Sequence, residues 1–362
     1  MRILQVITSL SVAGAEKLVT EVSIMLSERG HQVDVLTFRD VKSYLKKMLE
    51  DNGLKVYSLS QNSVYSFLNI FRLIPYLSKY DIIHSHNTAC QYYLAIAKII
   101  SFSKTPIITT EHSTNNRRRE YYGFKIIDSL IYRKYSHIIS VSEDVTQNLR
   151  KHMIGNYPVS TISNGIDVSS FLNSTPICRT SSSNTSNDDI VITMVAAFRD
   201  PKDQNTLIKA MKLLPKNVKL WLAGDGDKKI DSEKMVCDLG LADRVSFLGV
   251  RNDIPSILKA SDIIALSSHF EGLSLSSIEG MSVMRPFMAS NVEGLRDIVS
   301  GAGILFEQGN ESDFAQKVKE LINNRDYYEK VAEKCLERAM EYDISRTVTG
   351  YENIYFNNLN NR

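Results

Sequence analysis

Short β-branched runs alternate with amphipathic stretches along the whole chain, and this alternation is what most restricts its fold. RILQVITS reads as a strand, AEKLVTEVSIMLSERG as a helix ending at Gly30, and HQVDVLTF as the next strand. KVYSL, DIIHSHN, PIITTEH, HIISVSE and VSTISNGI continue the series, with helical patterns between them. A β-α-β rhythm of this kind predicts a mostly parallel, doubly wound α/β sheet. Residues 173–189, NSTPICRTSSSNTSNDD, break the rhythm with Ser, Asn and Thr and read as a linker or exposed loop. After it come VITMVAAF, VKLWLAG, RVSFLG, SDIIALSS and RPFMASN as strands, with QNTLIKAMKLL among the helices. The expectation is two Rossmann-like units. The first spans residues 1–170 and regains a crossover helix at about 345–362; the second spans 171–344. The last helix, SRTVTGYENIYFNNL, has aromatics at helical spacing.

Several function classes drop out. At 362 residues the chain is long enough for two cores, and 43% hydrophobic with 23% charged residues is ordinary for a globular protein. The four cysteines form no C-x-x-C pair, which suits neither a zinc site nor a disulfide framework and fits a reducing compartment. MRILQVITSL has no long apolar region before a small-residue cleavage site, and YYLAIAKIISF is broken by Lys98 and too short to span a bilayer. The expected location is cytoplasmic, or peripheral on the inner face of a membrane. The net charge of +2 is uneven: residues 1–165 carry +7 and the remainder −5. The densest basic stretch, RRREYYGFKIIDSLIYRK, holds Arg117, Arg118, Arg119, Lys125, Arg133 and Lys134 among aromatics. It reads either as a solvated helix face or as a surface for anionic lipid headgroups or a lipid-linked phosphate acceptor. No nucleic-acid-binding motif accompanies it.

Ligands of open parallel sheets bind beyond the carboxyl ends of the strands, and two such sheets facing each other would form a deep cleft. Several stretches fall at such ends. In TSLSVAGAEK a strand runs through a small-residue turn at Gly14 into a helix, either a plain βα turn or a close approach to an anion at a helix N-terminus. The spacing is not G-x-G-x-x-G, so a dinucleotide fingerprint is absent. In VAAFRDPKDQNTLIKA, Arg199 and Lys202 lie between strand and helix, as two loop cations or as partners for phosphate oxygens. LSSHFEGLSLSSIEGM is the most informative stretch. A strand ends, Glu271-Gly272-Leu273-Ser274 makes a turn, and a helix carries Glu279, seven residues separating the two glutamates. A carboxylate near a sugar suits an oxocarbenium-like transition state, and the intervening N–H groups suit phosphate. Ser276-x-x-Glu279 also matches a capping box. His84, His86 and His112 close two strands, each either a satisfied partly buried histidine or a proton shuttle or donor to a sugar hydroxyl. His269, just before the Glu271 turn, is a further candidate sugar contact. Asp225-Gly226-Asp227 looks like a D-x-D metal motif but follows a strand directly and reads as a turn.

Together these stretches resemble the retaining glycosyltransferases of family 4, which have the GT-B fold. The resemblance runs from Gly14 through TTEHS, ISNGIDVSSF, AAFRDPKDQNTLIKA, LAGDG, VSFLG and EGLSLSSIEGM to VEGLRDIV. It implies that Arg199 and Lys202 hold a donor diphosphate, with Gly14 closing over it. Glu271 and His112 would act at the transferring sugar, Gly272, Leu273 and Ser274 would line the phosphates, and Glu279 would bind the ribose. No metal or other cofactor is implied beyond the nucleotide-sugar co-substrate. Anomeric configuration would be retained, and a hexose or N-acetylhexosamine would pass from a UDP-sugar to a glycan or lipid-linked acceptor in surface polysaccharide assembly. Three features depart from the family pattern. The first turn reads AGAE rather than carrying two glycines, Ala197 stands where the arginine usually does, and EGLSLS replaces EGFGLP. Competing readings are a nucleotide-sugar 2-epimerase, a Rossmann oxidoreductase and a non-catalytic nucleotide-sugar-binding scaffold.

Overall fold

The structure is a computed structural model that describes residues 1–11, 14–60, 63–112, 122–182, 185–271 and 274–360, the side chains of Tyr122, Ser181 and Ser182 excepted. The chain divides into two compact units, Met1–Gly165 with Ile344–Arg362, and Ile166–Asp343.

The first unit is built on seven strands: β1 (Arg2–Ile7), β2 (Gln32–Arg39), β3 (Lys55–Ser60), β4 (Ile82–His86), β5 (Ile107–Glu111), β6 (His137–Ser140) and β7 (Val159–Thr161). All pair in parallel, in the order β3-β2-β1-β4-β5-β6-β7. Helices cover both faces, so the central strands are buried on both sides; β1 reads as a nearly apolar run, while β4 (IIHSH) and β5 (IITTE) begin apolar and turn polar toward their carboxyl ends. Period-2 alternation divides their side chains. Leu4 and Val6 join Ile83 and Ile107 in one core cluster. Ile3 and Ile7 join Ile82, Ile108 and Ile139 in the other, beneath the helices Gly14–Glu28 and Ile344–Asn360. The tail aromatics supply Tyr351 and Tyr355 to this second cluster.

The second unit repeats the plan with β8 (Ile190–Val195), β9 (Val218–Ala223), β10 (Val245–Gly249), β11 (Ile263–Leu266), β12 (Phe287–Ser290) and β13 (Ile304–Phe306). The order is β10-β9-β8-β11-β12-β13, again all parallel. β13, three residues long, is absent from the sequence-based expectation because ILF is too short to show a period. In both sheets the order reverses beside the first strand, between β1 and β4 and between β8 and β11. A crevice for ligands opens at the carboxyl ends of such a switch point. Among the described residues, no helix is long and apolar enough to cross a membrane.

Candidate functional site

In the second unit, the segment after β8 is held by close backbone packing from the segment after β9. Gly224 (φ +142°) and Gly226 (φ +154°) lie so close that a Cβ would stand 2.1 Å from the Ala196 carbonyl oxygen and 2.3 Å from that of Phe198. The Phe198 N–H donates to the Asp225 carbonyl at 3.0 Å. Asp225-Gly226-Asp227 is therefore a packing turn, with the Asp225 carboxylate 3.8 Å from Lys229. Among the described residues no group of three or more His, Cys, Asp or Glu could hold a metal ion.

The supported segment leads to Lys202, which forms an antiparallel bridge with Ser268 from the loop after β11. Three further bonds join these two loops. The Asp203 N–H donates to Ser267 O, the Ser267 hydroxyl donates to Asp203 O, and the His269 N–H donates to Pro201 O. Asp203 caps the helix Gln204–Ala210 by accepting from the Thr206 N–H. At the centre, Lys202 Nζ donates to Glu271 Oε1, and the Ser268 hydroxyl donates to the same oxygen at 2.6 Å. Both side chains of the ion pair are only 13% exposed.

The helix Leu275–Ser282 follows. Its N-cap is Ser274, whose side chain makes no capping bond. The hydroxyls of Ser274 and Ser277 are buried with no hydrogen-bond partner among the described residues, an arrangement that calls for an explanation at a helix N-terminus. Such a terminus offers N–H groups and dipole to an anion. Gly280 lets the helix sit close on the sheet: a Cβ there would lie 2.7 Å from the Phe287 ring and 2.9 Å from Ile264. The capping-box reading of Ser276 and Glu279 is corrected here. Ser276 is the second helical residue rather than the cap, so Glu279 lies more than a turn into the helix, half-buried.

Of the other expected residues in this unit, Arg199 is exposed, and its guanidinium has no partner among the described residues. Gly272 and Leu273 lie outside the described residues. His269 is tied sideways, with Nε2 3.7 Å from Asp203 and Nδ1 2.9 Å from the Gln308 amide nitrogen.

In the first unit, Gly14 opens the helix Gly14–Glu28, and a Cβ built on it meets nothing within 4 Å. His112 follows β5. Its Nε2 lies 3.1 Å from Nδ1 of buried His86, and its own Nδ1 is buried without a partner among the described residues. Burial lowers its pKa to about 4, and drives those of His84 and His86 well below the usual imidazole value, so all three are neutral near pH 7.

Sequence reasoning missed three residues here. Asn87 follows His86 with φ +70° and ψ 146°, a conformation L side chains rarely adopt, and its amide oxygen is buried with no partner among the described residues. Ser277, whose N–H donates to Ser274 O at 3.1 Å, lies one turn along the same helix, and nothing in LSLSSIEG distinguishes it from its neighbours. Gln5 is a lone polar residue inside an apolar strand, and its oxygen lies 2.8 Å from His86 Nε2. Its position in the strand is the only signal that could have marked it.

The basic stretch is only partly described, since Arg117, Arg118 and Arg119 fall outside the described residues. The helix Tyr122–Tyr132 does not present a charged, solvated face. It exposes Phe124, Ile126, Ile127 and Leu130, with Arg133 and Lys134 exposed just beyond.

Two family models match the chain: Glycosyltransferase Family 4 over residues 12–170 and Glycosyl transferases group 1 over residues 180–338. The chain is 24% identical to the N-acetyl-alpha-D-glucosaminyl L-malate synthase of Bacillus anthracis over 375 aligned positions, covering 96% of this chain and 95% of that protein. It is 25% identical to the UDP-Gal:alpha-D-GlcNAc-diphosphoundecaprenol alpha-1,3-galactosyltransferase of Escherichia coli over 277 positions, 72% of this chain and 70% of that one. Among solved structures, Anabaena HepE in complex with UDP and glucose superposes with a TM-score of 0.78 at 20% identity, covering 98% of this chain and 99% of that one.

Proposed function

Because the chain belongs to the family 4-type glycosyltransferases of GT-B fold and is a hexosyltransferase, we propose that it moves a hexose or N-acetylhexosamine from a UDP-sugar to a glycan or lipid-linked acceptor in surface polysaccharide assembly, with retention at the anomeric carbon. The observation that carries this reading is the constellation at the switch point of the second sheet. A lysine and a glutamate are held together there, next to a helix N-terminus with two buried hydroxyls that have no partner among the described residues. Lys202 and the N-terminus of the helix Leu275–Ser282 suit a diphosphate, as a point charge beside oriented N–H groups. Once phosphate takes the lysine, the Glu271 carboxylate is released toward the sugar, where it stabilises positive charge developing at the anomeric carbon. Ser274, Gly272 and Leu273 line the phosphates, Arg199 adds a second cation, and Glu279 accepts from the ribose hydroxyls. In the first unit, Gly14 leaves room for an anion and His112 faces a sugar hydroxyl. In the transfer step the bond from the anomeric carbon to the phosphate oxygen breaks, the acceptor oxygen bonds on the same face, and its proton leaves on the departing phosphate.

A thermal-shift panel of nucleotides and UDP-sugars tests the donor assignment. Wild type should gain melting temperature with UDP and most with its own UDP-sugar, since a ligand bound only by the folded state stabilises it in proportion to RT ln(1 + [L]/Kd). Glu279→Ala should lose most of that gain. Stabilisation by NAD and by no UDP compound would overturn the reading.

The lipid-linked arm rests on the exposed Phe124, Ile126, Ile127 and Leu130 beside Arg133 and Lys134. Apolar anchors next to cations suit an anionic bilayer surface. The chain should float with vesicles containing phosphatidylglycerol and remain in the pellet fraction with purely zwitterionic ones. Equal behaviour with both would remove the membrane from the account.

A further inference from the structure

His112 is the last member of a buried polar chain that runs across the first sheet. Strand register and period-2 alternation put its members on one face, since Gln5 pairs in register with His84, and His86 with Thr110. The helix Ile344–Asn360 covers that face and contributes Tyr355 and Tyr351. Thr110 Oγ1 lies 2.8 Å from His84 Nε2 and 3.4 Å from the Tyr351 hydroxyl. His84 Nδ1 is 2.7 Å from the Tyr355 hydroxyl, which accepts from the Gln5 amide nitrogen at 3.2 Å. The Gln5 oxygen meets His86 Nε2 at 2.8 Å, and His86 Nδ1 meets His112 Nε2 at 3.1 Å.

Each neutral imidazole has one N–H and one bare nitrogen, so the chain has a direction. Gln5 offers its oxygen to His86, and an oxygen only accepts. His86 therefore carries its proton on Nε2 and presents a bare Nδ1. That bare nitrogen requires an N–H from its partner, so His112 is protonated at Nε2. His112 Nδ1 is left with a lone pair, buried and unmatched among the described residues. The other arm runs consistently. Tyr355, already accepting from the Gln5 N–H, donates to His84 Nδ1, and His84 donates from Nε2 to Thr110. Reversing the direction requires the Gln5 amide to turn over, and it would leave an N–H rather than a lone pair unmatched at His112. An orphaned N–H is the rarer and costlier defect.

We infer that this chain fixes the tautomer of His112, so that Nδ1 acts only as an acceptor for a hydroxyl of a sugar ligand, with Gln5, His86 and Tyr355 as positioning residues. The ligand class rests on the proposed transferase reading; the tautomer does not. The expectation that His112 could donate to a sugar hydroxyl is replaced by the opposite polarity. A hydroxyl that donates to Nδ1 gains fixed orientation, whether it is a non-attacking hydroxyl of the acceptor or one of the donor sugar, since the attacking hydroxyl gives its proton to the departing phosphate.

Two-bond nitrogen–proton correlation spectra of the full chain labelled with 15N-histidine distinguish the two tautomers without any ligand. The His112 signals are identified by their loss in His112→Gln. Wild type at neutral pH should show His112 protonated at Nε2 and bare at Nδ1. Tyr355→Phe removes the acceptor that holds the Gln5 amide. It should populate the Nδ1-protonated form of His112 and slow UDP-sugar turnover about tenfold, with UDP affinity unchanged. Gln5→Met should act in the same direction, and if it fails to fold, Tyr355→Phe still decides. An Nδ1-protonated His112 in wild type, or a His112 spectrum unmoved by Tyr355→Phe, would overturn the inference. His112→Ala identifies the source of the hydroxyl. A donor hydroxyl would narrow the affinity gap between UDP and its UDP-sugar. An acceptor hydroxyl would leave the gap and slow single-turnover transfer. No change in either would show that Nδ1 meets no ligand. Failure of UDP-sugar binding in wild type would sink the transferase reading while leaving the tautomer measurement standing.

Discussion

Lys202→Met should lower turnover of the UDP-sugar selected by the thermal-shift panel by about a hundredfold to a thousandfold in kcat/KM. The estimate follows from the loss of one preorganised charged contact where negative charge grows on the departing diphosphate, worth roughly 3–4 kcal/mol in a site of this kind. The structure adds a second effect. Among the described residues Lys202 and Ser268 are the donors to Glu271 Oε1, so the substitution leaves a mostly buried carboxylate with Ser268 as its remaining described donor there. That should cost about 1–3 kcal/mol of stability. Arginine should restore little, because its planar fork does not reproduce a compact point charge on this bridge. Lys228→Met is the control, since Lys228 is half-exposed and 3.9 Å from an exposed Asp200, and its loss should change turnover less than twofold. If Lys202→Met stays within fivefold of wild type, Lys202 is not on the donor phosphates.

Gly224→Ala should be the most damaging small substitution in the second unit. A Cβ there would lie 2.1 Å from the Ala196 carbonyl oxygen and 2.8 Å from its carbon, both backbone atoms that no rotamer change can move. The residue also sits at φ +142°, where an L side chain is strained before any clash is counted. A cost above about 4 kcal/mol follows. For a unit of this size that is a fall in melting temperature of about 8–16 °C, or no folded unit at all. Gly240→Ala separates the two causes. Gly240 has φ +65° but nothing within 4 Å of a Cβ, so it should cost only about 1–2 kcal/mol. If the two variants melt together, the close approach after β8 is not what holds the segment leading to Lys202.

The fold was readable from sequence because most of its strands are buried on both faces, and such burial leaves short apolar, β-branched runs between the helical patterns even where single polar residues interrupt them. β13 escaped because three residues between Gly303 and Glu307 are too few to show a pattern. Around the candidate site, composition was legible but geometry was not. EGLSLSSIEG marked a strand-turn-helix junction, yet the same letters suggested a capping box that the helix start at Leu275 rules out. The two histidines of HSH share a face by alternation alone. Their connection to Gln5 in β1 and to Tyr355 in the last helix depends on strand order and on a return of the chain some 270 residues later, which no local pattern encodes. Asn87 is invisible for a related reason, since its unusual φ belongs to the junction where β4 passes into the helix Thr88–Ser101.

The discontinuity of the first unit also bears on how the protein is made. The helix Ile344–Asn360 leaves the ribosome only after the whole second unit, so the first sheet waits for its cover while 178 residues are synthesised. At roughly 5–20 residues per second that interval is about ten to forty seconds. Throughout it, Gln5, His84 and Thr110 lie on a face still open to water, beside the apolar residues that Val348, Tyr351 and Tyr355 will later cover. The second unit, continuous in sequence, can complete its own core first. A chain interrupted before Ile344 would then be half-finished in a specific way: one folded body carrying an unsealed one, a natural substrate for chaperones and proteases.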